Sequence, residues 1–220
     1  MTFTATTPTA SATVRARSRA SEGLWLASAA AGPLFFVSAI TQMLTREGFD
    51  ITRHPISQLA TGDLGWIQIL TFITTGMGAL ALAAGIGRTL TEGTGRRALP
   101  ILVGFFGIGL VAAGVFTMDP ENGFPVGTPD EPIAQMSWHS IAHSAAAAVA
   151  FTALALAALV LSVRCARRRR VLPAVASAVA GLVLLVPMSP EYMSIQIAIN
   201  GAVAFTWTTV VALSQRRRFD

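Results

Sequence analysis

The chain has 220 residues, of which 53% are hydrophobic and only 12% are charged, and its mean hydropathy is +0.60. Ordinary soluble domains carry about 25% charged residues, so this composition excludes a soluble globular protein and indicates an integral membrane protein. The net charge is +5, and every basic residue is an arginine. The arginines form short clusters beside apolar stretches, as membrane orientation requires, so we expect membrane lipids and no nucleic acid as partners.

The chain has one cysteine, Cys165, inside an arginine run between two apolar stretches. A lone cysteine excludes an intrachain disulfide and any multi-cysteine metal site. We interpret Cys165 as an incidental residue beside the membrane.

The amino-terminal stretch, residues 1–23, is rich in Thr, Ala and Ser and carries three arginines. This composition predicts a disordered tail. Arginines followed by apolar residues resemble a signal peptide, but here the apolar run continues to Leu44. Residues 24–44 are long enough to cross about 30 Å of hydrocarbon as a helix, so we expect an uncleaved first span that Pro33 kinks or loosens.

Five further apolar stretches satisfy the same length criterion, and none has an ionisable side chain near its centre. The predicted fold is therefore an all-α, polytopic membrane bundle of six transmembrane helices, followed by a short basic tail at 215–220. Small residues recur at helical spacing in several spans, which predicts close helix packing. The five further spans are 64–87, 98–117, 138–163, 171–188 and 193–214.

The arginines predict the orientation of the bundle. Fourteen of the sixteen lie on the termini and on the loops 88–97 and 164–170, whereas the three opposite loops carry eight of the eleven acidic residues. By the positive-inside rule both termini are cytoplasmic. We therefore expect a multi-pass protein of a bacterial plasma membrane with an acidic outer face.

The outer face carries all three histidines of the chain. His54 lies in the first outer loop, and His139 and His143 lie one helical turn apart at the start of the fourth span. Residues four apart share a helix face, so the last two imidazoles are predicted to point at one spot inside the bundle.

Two stretches resemble a known family. The sequence HPISQLATGDLGWIQILTFITTG, and GVFTMDP followed by WHSIAH, are similar to the bacterial membrane proteins grouped as domain of unknown function 998 (DUF998). The resemblance extends over most of the chain from the first helix onward. It implies a multi-helix membrane protein and supplies no agreed activity or catalytic residue.

One functional hypothesis is a divalent metal site, such as a zinc site, at the outer mouth of the bundle. Two histidines at i and i+4 with a third and fourth ligand suit zinc, and an open position would make the metal catalytic. A metal-dependent hydrolase of lipid-like substrates would follow. The spacing alone is weak, because it lacks the glutamate of the HExxH type. The candidate ligands are His139, His143, His54 and Asp119 or Glu191, and the catalytic candidates are Asp119, Glu191 and Ser57.

Other interpretations remain open. Interfacial histidines are often hydrogen-bonded to a carboxylate or a carbonyl, and they also handle protons or cations. Arg53 beside His54 disfavours a bound cation. A small transporter or permease-like bundle is a second functional class, although the spans offer only uncharged polar groups such as Gln196 and Asn200. A third class is a non-catalytic membrane subunit whose outer loops contact a partner.

Overall fold

Six α-helices make up the computed structural model, which describes the backbone of residues 10–216 and the side chains of residues 22–215. A short 3₁₀ helix, Ile56–Ala60, follows α1, and another, Pro190–Tyr192, precedes α6. We call Ile56–Ala60 the loop helix. The six helices are α1 (Ala10–Thr45), α2 (Gly65–Thr89), α3 (Ala98–Val115), α4 (Trp138–Arg167), α5 (Val171–Leu184) and α6 (Met193–Arg216).

Five of these helices are long and apolar enough to cross a membrane, and α5 is a shorter apolar helix of 14 residues. Together with the alternation of acidic and arginine-rich loops, these helices make the protein a multi-pass membrane bundle, as its composition predicts. We call the end with the 46–64, 116–137 and 185–192 connections the acidic end. The end with the 90–97 and 168–170 connections is the arginine end.

The helices form a ring in which each packs against the next and α6 returns to α1. Aromatic rings fill its centre: Phe35 of α1 lies 4.1 Å from Phe205 of α6 and 5.9 Å from Phe72 of α2, measured between ring centroids. Phe106 of α3 joins them at 6.2 Å from Phe205. One contact in the ring is sparse, because α5 and α6 touch much less than the other sequential pairs.

Glycines allow the helices to approach closely. A Cβ on Gly109 of α3 would lie 2.6 Å from the Cβ of Ala150 and 2.8 Å from the carbonyl oxygen of Ala146, both on α4. Only a residue without a side chain fits such an approach. A Cβ on Gly104, five residues earlier on α3, would have no neighbour closer than 4.0 Å. The close packing of α3 on α4 therefore depends on Gly109 and not on Gly104.

The backbone differs from several predicted boundaries, and α4 continues to Arg167, four residues beyond the predicted end at 163. The helix α1 starts at Ala10, so residues 10–23 of the predicted disordered tail are helical. Alanine and arginine are good helix formers, and they extend a helix that the apolar span already nucleates. Residues 1–9 and 217–220 of the predicted tails lie outside the described residues. In the predicted fifth span, 171–188, the helix ends at Leu184.

A side chain of α6 forms hydrogen bonds with the non-helical backbone that follows α5. Gln196 accepts a hydrogen bond from Ser189 N at 2.9 Å and donates to Pro187 O at 2.8 Å. Unsatisfied backbone groups are strongly unfavourable near hydrocarbon. Gln196 therefore closes the tight connection between α5 and α6, which is a structural role.

Candidate functional site

Two connections at the acidic end fold over the bundle, and we call residues 46–64 and 116–137 together the cap. His54 joins them: its Nδ1 accepts from Asp50 N and its Nε2 donates to Asn122 O, both at 2.9 Å. The ring is 1% exposed and lies between Phe49 and Phe124, at 5.6 and 5.4 Å between centroids. Since Nδ1 accepts a hydrogen bond, the ring proton is on Nε2.

Arg46 fastens the loop helix to the end of α1. Its Nη1 donates to Leu59 O at 2.6 Å and its Nη2 donates to Thr61 O at 2.7 Å. One guanidinium therefore bonds to two carbonyls at the carboxyl end of the loop helix. The guanidinium carbon also lies 4.8 Å from the ring centre of Phe124. Burial lowers the pKa of Arg46 from its ordinary value. The planar guanidinium of Arg46 donates from two nitrogens at once, which the single ammonium group of lysine cannot reproduce.

Polar side chains tie the second cap segment to the loop helix and to α4. Gln58 Nε2 donates to Glu121 Oε1 at 3.0 Å, and Ser57 Oγ lies 2.8 Å from Met118 Sδ. Asp119 Oδ2 accepts from Ser137 N at 2.7 Å. Ser137 Oγ in turn accepts from Ser140 N, capping α4. Each of these groups therefore has a partner that fixes the fold of the cap.

The two histidines of α4 have different environments. His143 is buried, and its Nδ1 lies 2.9 Å from Ala113 O and 2.8 Å from Phe116 O. With two carbonyls as neighbours, Nδ1 carries the proton and Nε2 is the acceptor nitrogen. His139 is exposed, and its ring lies against Trp138 with centroids 3.7 Å apart. The prediction that both imidazoles face the bundle is therefore met by His143 and not by His139.

The residues predicted as metal ligands do not form a cluster in the described part of the chain, where no group of three or more His, Cys, Asp or Glu side chains is arranged to hold a metal ion. Both nitrogens of His54 already have partners within the cap. Of the catalytic candidates, Ser57 and Asp119 are hydrogen-bonded within the cap, and Glu191 is exposed beside α6.

Beneath the cap, α1 and α2 share polar side chains that are buried, except for the half-buried Ser38. Gln42 Nε2 donates to Gln68 Oε1 at 2.8 Å, and the hydroxyls of Ser38 and Thr71 lie 2.6 Å apart. Gln68, Thr71 and Thr75 follow one face of α2 toward the middle of the membrane span. We call Ser38, Gln42, Gln68, Thr71 and Thr75 the polar row.

Several buried polar atoms at this end lack a hydrogen-bond partner among the described residues. Two of them, Gln42 Oε1 and Gln68 Nε2, belong to the two hydrogen-bonded glutamines, and a third, Thr75 Oγ1, belongs to the polar row. Gln58 Oε1 lies above on the loop helix, and Ser140 Oγ lies one turn before His143 on α4. Three further such atoms among the described side chains, Trp25 Nε1 on α1 and Asn200 Nδ2 and Thr209 Oγ1 on α6, are not part of this set. Buried polar groups normally have partners, so the five atoms at the acidic end mark a candidate binding region.

Sequence reasoning did not identify the polar row. A signal was present, because Ser38 and Gln42 are four apart and Gln68, Thr71 and Thr75 follow helical spacing within apolar spans. Uncharged polar residues at such positions are common in membrane bundles. Only the structure pairs Gln42 with Gln68 and leaves their remaining atoms without partners.

Residues 29–214 match the family model described as "Protein of unknown function (DUF998)". No curated protein matches the chain, and no solved structure does.

Proposed function

The chain belongs to the DUF998 family of proteins of unknown function, and we propose that it is a small permease-like bundle for a polar, hydrogen-bond-donating solute such as ammonium or a small amine. The solute binds beneath the cap and follows the polar row. The acidic end faces outward from a bacterial plasma membrane and both termini are cytoplasmic. The support for this orientation is the concentration of arginines at the opposite end.

The observation that carries the proposal is the set of buried polar atoms without partners beneath the cap. Burying a polar group in an apolar span is unfavourable unless it is hydrogen-bonded. A ligand that supplies the missing hydrogen bonds would remove this penalty when it binds. The atoms are Gln42 Oε1, Gln58 Oε1, Gln68 Nε2, Thr75 Oγ1 and Ser140 Oγ.

The chemistry of these atoms indicates the class of solute. The oxygens of Gln42 and Gln58 only accept hydrogen bonds, and the hydroxyls of Thr75 and Ser140 can accept them. Gln68 Nε2 is the one atom of the set that only donates. Acceptors therefore predominate, which suits a solute rich in N–H groups. The acidic end carries most of the chain's carboxylates, and their field attracts cations.

The metal-dependent hydrolase of lipid-like substrates has less support. It needs His139 to turn into the bundle beside His143, and it needs His54 to give up a ring hydrogen bond that joins the two cap segments. Metal content, measured by elemental mass spectrometry on protein with a non-histidine tag, discriminates between the two functions. Near-stoichiometric metal that a His139→Ala/His143→Ala variant loses would favour the hydrolase.

Transport is tested with purified protein in liposomes, using solid-supported-membrane electrophysiology. Concentration jumps of ammonium, methylammonium, sodium and potassium are compared with protein-free liposomes. We expect currents with ammonium or methylammonium, and about a ten-fold reduction in Gln42→Leu/Gln68→Leu. Replacing both partners of a buried hydrogen bond by apolar residues is nearly neutral for stability, so the variant should remain folded.

The matched control is Thr74→Val on the same helix. Thr74 is exposed, and its hydroxyl bonds to Leu70 O of its own helix, so this variant should conduct like the wild type. Currents no larger than those of protein-free liposomes would contradict the proposal. Undiminished currents in Gln42→Leu/Gln68→Leu would contradict the assignment of the site.

A further inference from the structure

A cavity of about 530 Å³ lies at the arginine end, among α2, α4, α5 and α6. It lies where the contact between α5 and α6 is sparse. The polar row lies at the opposite end of α2, so the cavity is separate from the site proposed beneath the cap. Its volume falls within the range of about 300–1,000 Å³ typical of small-molecule sites.

Arginines form one part of the cavity wall. Arg164 is 9% exposed, and its Nη1 donates to Glu92 O at 3.0 Å and Thr94 O at 2.8 Å, so its charge is held in place at the wall. Arg168 and Arg170 also line the cavity and are exposed. Among the described residues, the one acid in the lining is Glu92. With three arginines against one carboxylate, this part of the wall is positive.

The turn between α4 and α5 fixes these arginines. Arg169 adopts a left-handed φ of 56°, and the backbone N–H groups of Arg168 and Arg170 both bond to Cys165 O. Arg170 also precedes the first residue of α5, so the positive amino end of that helix lies beside the cavity. A helix amino terminus favours an anion.

The remainder of the wall is mainly apolar, although five uncharged polar residues also line it: Thr89, Thr91, Ser177, Ser214 and Gln215. Leu161 of α4 and Val210 and Val211 of α6 line it, and Trp207 lies deeper, about 13 Å along α6 from Arg216. The polar atom of Trp207 is already engaged, since Nε1 donates to Ser177 Oγ at 3.2 Å. The cavity thus combines a positive rim at the membrane surface with a mainly apolar interior.

We propose that this cavity binds an anionic phospholipid, with the phosphate at Arg164, Arg168 and Arg170 and part of an acyl chain against the apolar wall. Basic pockets between membrane helices on the cytoplasmic side suit phosphate headgroups. Arginine is the residue best suited to paired hydrogen bonds with phosphate oxygens. A free phosphate compound would use the arginines and leave the apolar wall empty.

Cys165 provides a reporter, because it is the only cysteine in the chain and lines the cavity. The full-length protein is placed in nanodiscs of phosphatidylcholine alone or mixed with phosphatidylglycerol, and the rate of Cys165 alkylation by N-ethylmaleimide is measured. Phosphatidylglycerol is expected to slow alkylation, and inorganic phosphate added to phosphatidylcholine nanodiscs is not. The proposal would be overturned if alkylation were equally fast with and without phosphatidylglycerol, or if inorganic phosphate protected Cys165 as well as phosphatidylglycerol does.

Native mass spectrometry then measures phosphatidylglycerol affinity in three variants. Arg168→Gln/Arg170→Gln should bind about thirty-fold more weakly. Arg96→Gln/Arg97→Gln, with the same charge change at the same end but outside the lining, should bind like the wild type. Ala176→Phe fills the apolar part without changing charge and should also weaken binding. Equal affinity of the two arginine variants, or an unaffected Ala176→Phe, would overturn the proposal.

Discussion

The ring of His54 has a hydrogen-bond partner on each nitrogen and an aromatic neighbour on either side. We predict that His54→Phe destabilises the protein by about 2–4 kcal/mol, although it preserves an aromatic ring. The substitution leaves Asp50 N and Asn122 O without their partner in two partly buried hydrogen bonds. A buried unsatisfied group costs about 1–3 kcal/mol, and the lower part of that range, about 1–2 kcal/mol each, applies to these partly buried groups. Thermal unfolding in detergent, followed by intrinsic fluorescence, measures the effect.

The control for His54 is its neighbour Arg53. Arg53 forms an ion pair with Asp130, but the two side chains are 49% and 68% exposed. Exposed ion pairs contribute about 0–1 kcal/mol, so Arg53→Gln should leave the unfolding temperature almost unchanged. Equal effects of the two substitutions would show that His54 does not hold the cap.

Asp50 makes the stability of the cap depend on pH. Hydrogen bonds from the Thr52 hydroxyl and then from Thr52 N–H hold the pKa of the Asp50 carboxyl below its ordinary value of 3.8. Because the folded pKa is depressed, the stabilisation is fully present above pH 3.8 and is lost as the pH falls through the folded pKa. The side chain is exposed, so the effect is small.

The Thr52→Val variant tests this linkage, since it removes the hydroxyl bond and keeps the backbone one. We expect it to be slightly less stable than the wild type at neutral pH, and the difference to disappear in acid once Asp50 is protonated in both proteins. Denaturant unfolding at several pH values measures the difference. Thr45→Val, whose hydroxyl bonds to Thr41 O, should show no such pH dependence.

At the scale of helices, the contact between α3 and α4 gives a matched pair of glycine substitutions. Gly109→Ala places a Cβ 2.6 Å from the Cβ of Ala150, and overpacking of this kind destabilises by about 1–3 kcal/mol. Gly104→Ala meets nothing closer than 4.0 Å and should be neutral or stabilising, because alanine is the better helix former. Thermal unfolding compares the two, and equal shifts would contradict close packing at Gly109.

The helices could be predicted from sequence because a bilayer imposes length and hydropathy on each span separately. The cap could not be predicted in the same way. His54 meets Asn122, and Gln58 meets Glu121, across more than sixty residues of chain, and no periodicity encodes such pairs. The three histidines attracted attention by residue type, by the i, i+4 spacing of two of them and by their place on the predicted outer face. The partners of Gln42 and Gln68, in contrast, depend on how α1 packs on α2.

For the molecule as a whole, the proposed orientation predicts which cysteines are reached from outside the cell. Val126 lies in the cap and is 65% exposed, so Val126→Cys in a Cys165→Ser background should react with a membrane-impermeant maleimide in intact cells. The natural Cys165 should react only after the cells are permeabilised. The reverse pattern would contradict cytoplasmic termini. Cys165→Ser alone is the unlabelled control.

The unequal lengths of α4 and α5 have a consequence for the surrounding lipids. As a straight helix, α4 reaches about 45 Å and α5 only about 21 Å, compared with about 30 Å of hydrocarbon. A span shorter than the hydrocarbon thickness can be accommodated by local thinning of the bilayer, at a fraction of a kcal/mol per Å of mismatch, and we expect such thinning beside α5. Shorter acyl chains reduce this deformation, so the stability of the protein depends on the thickness of the membrane that contains it.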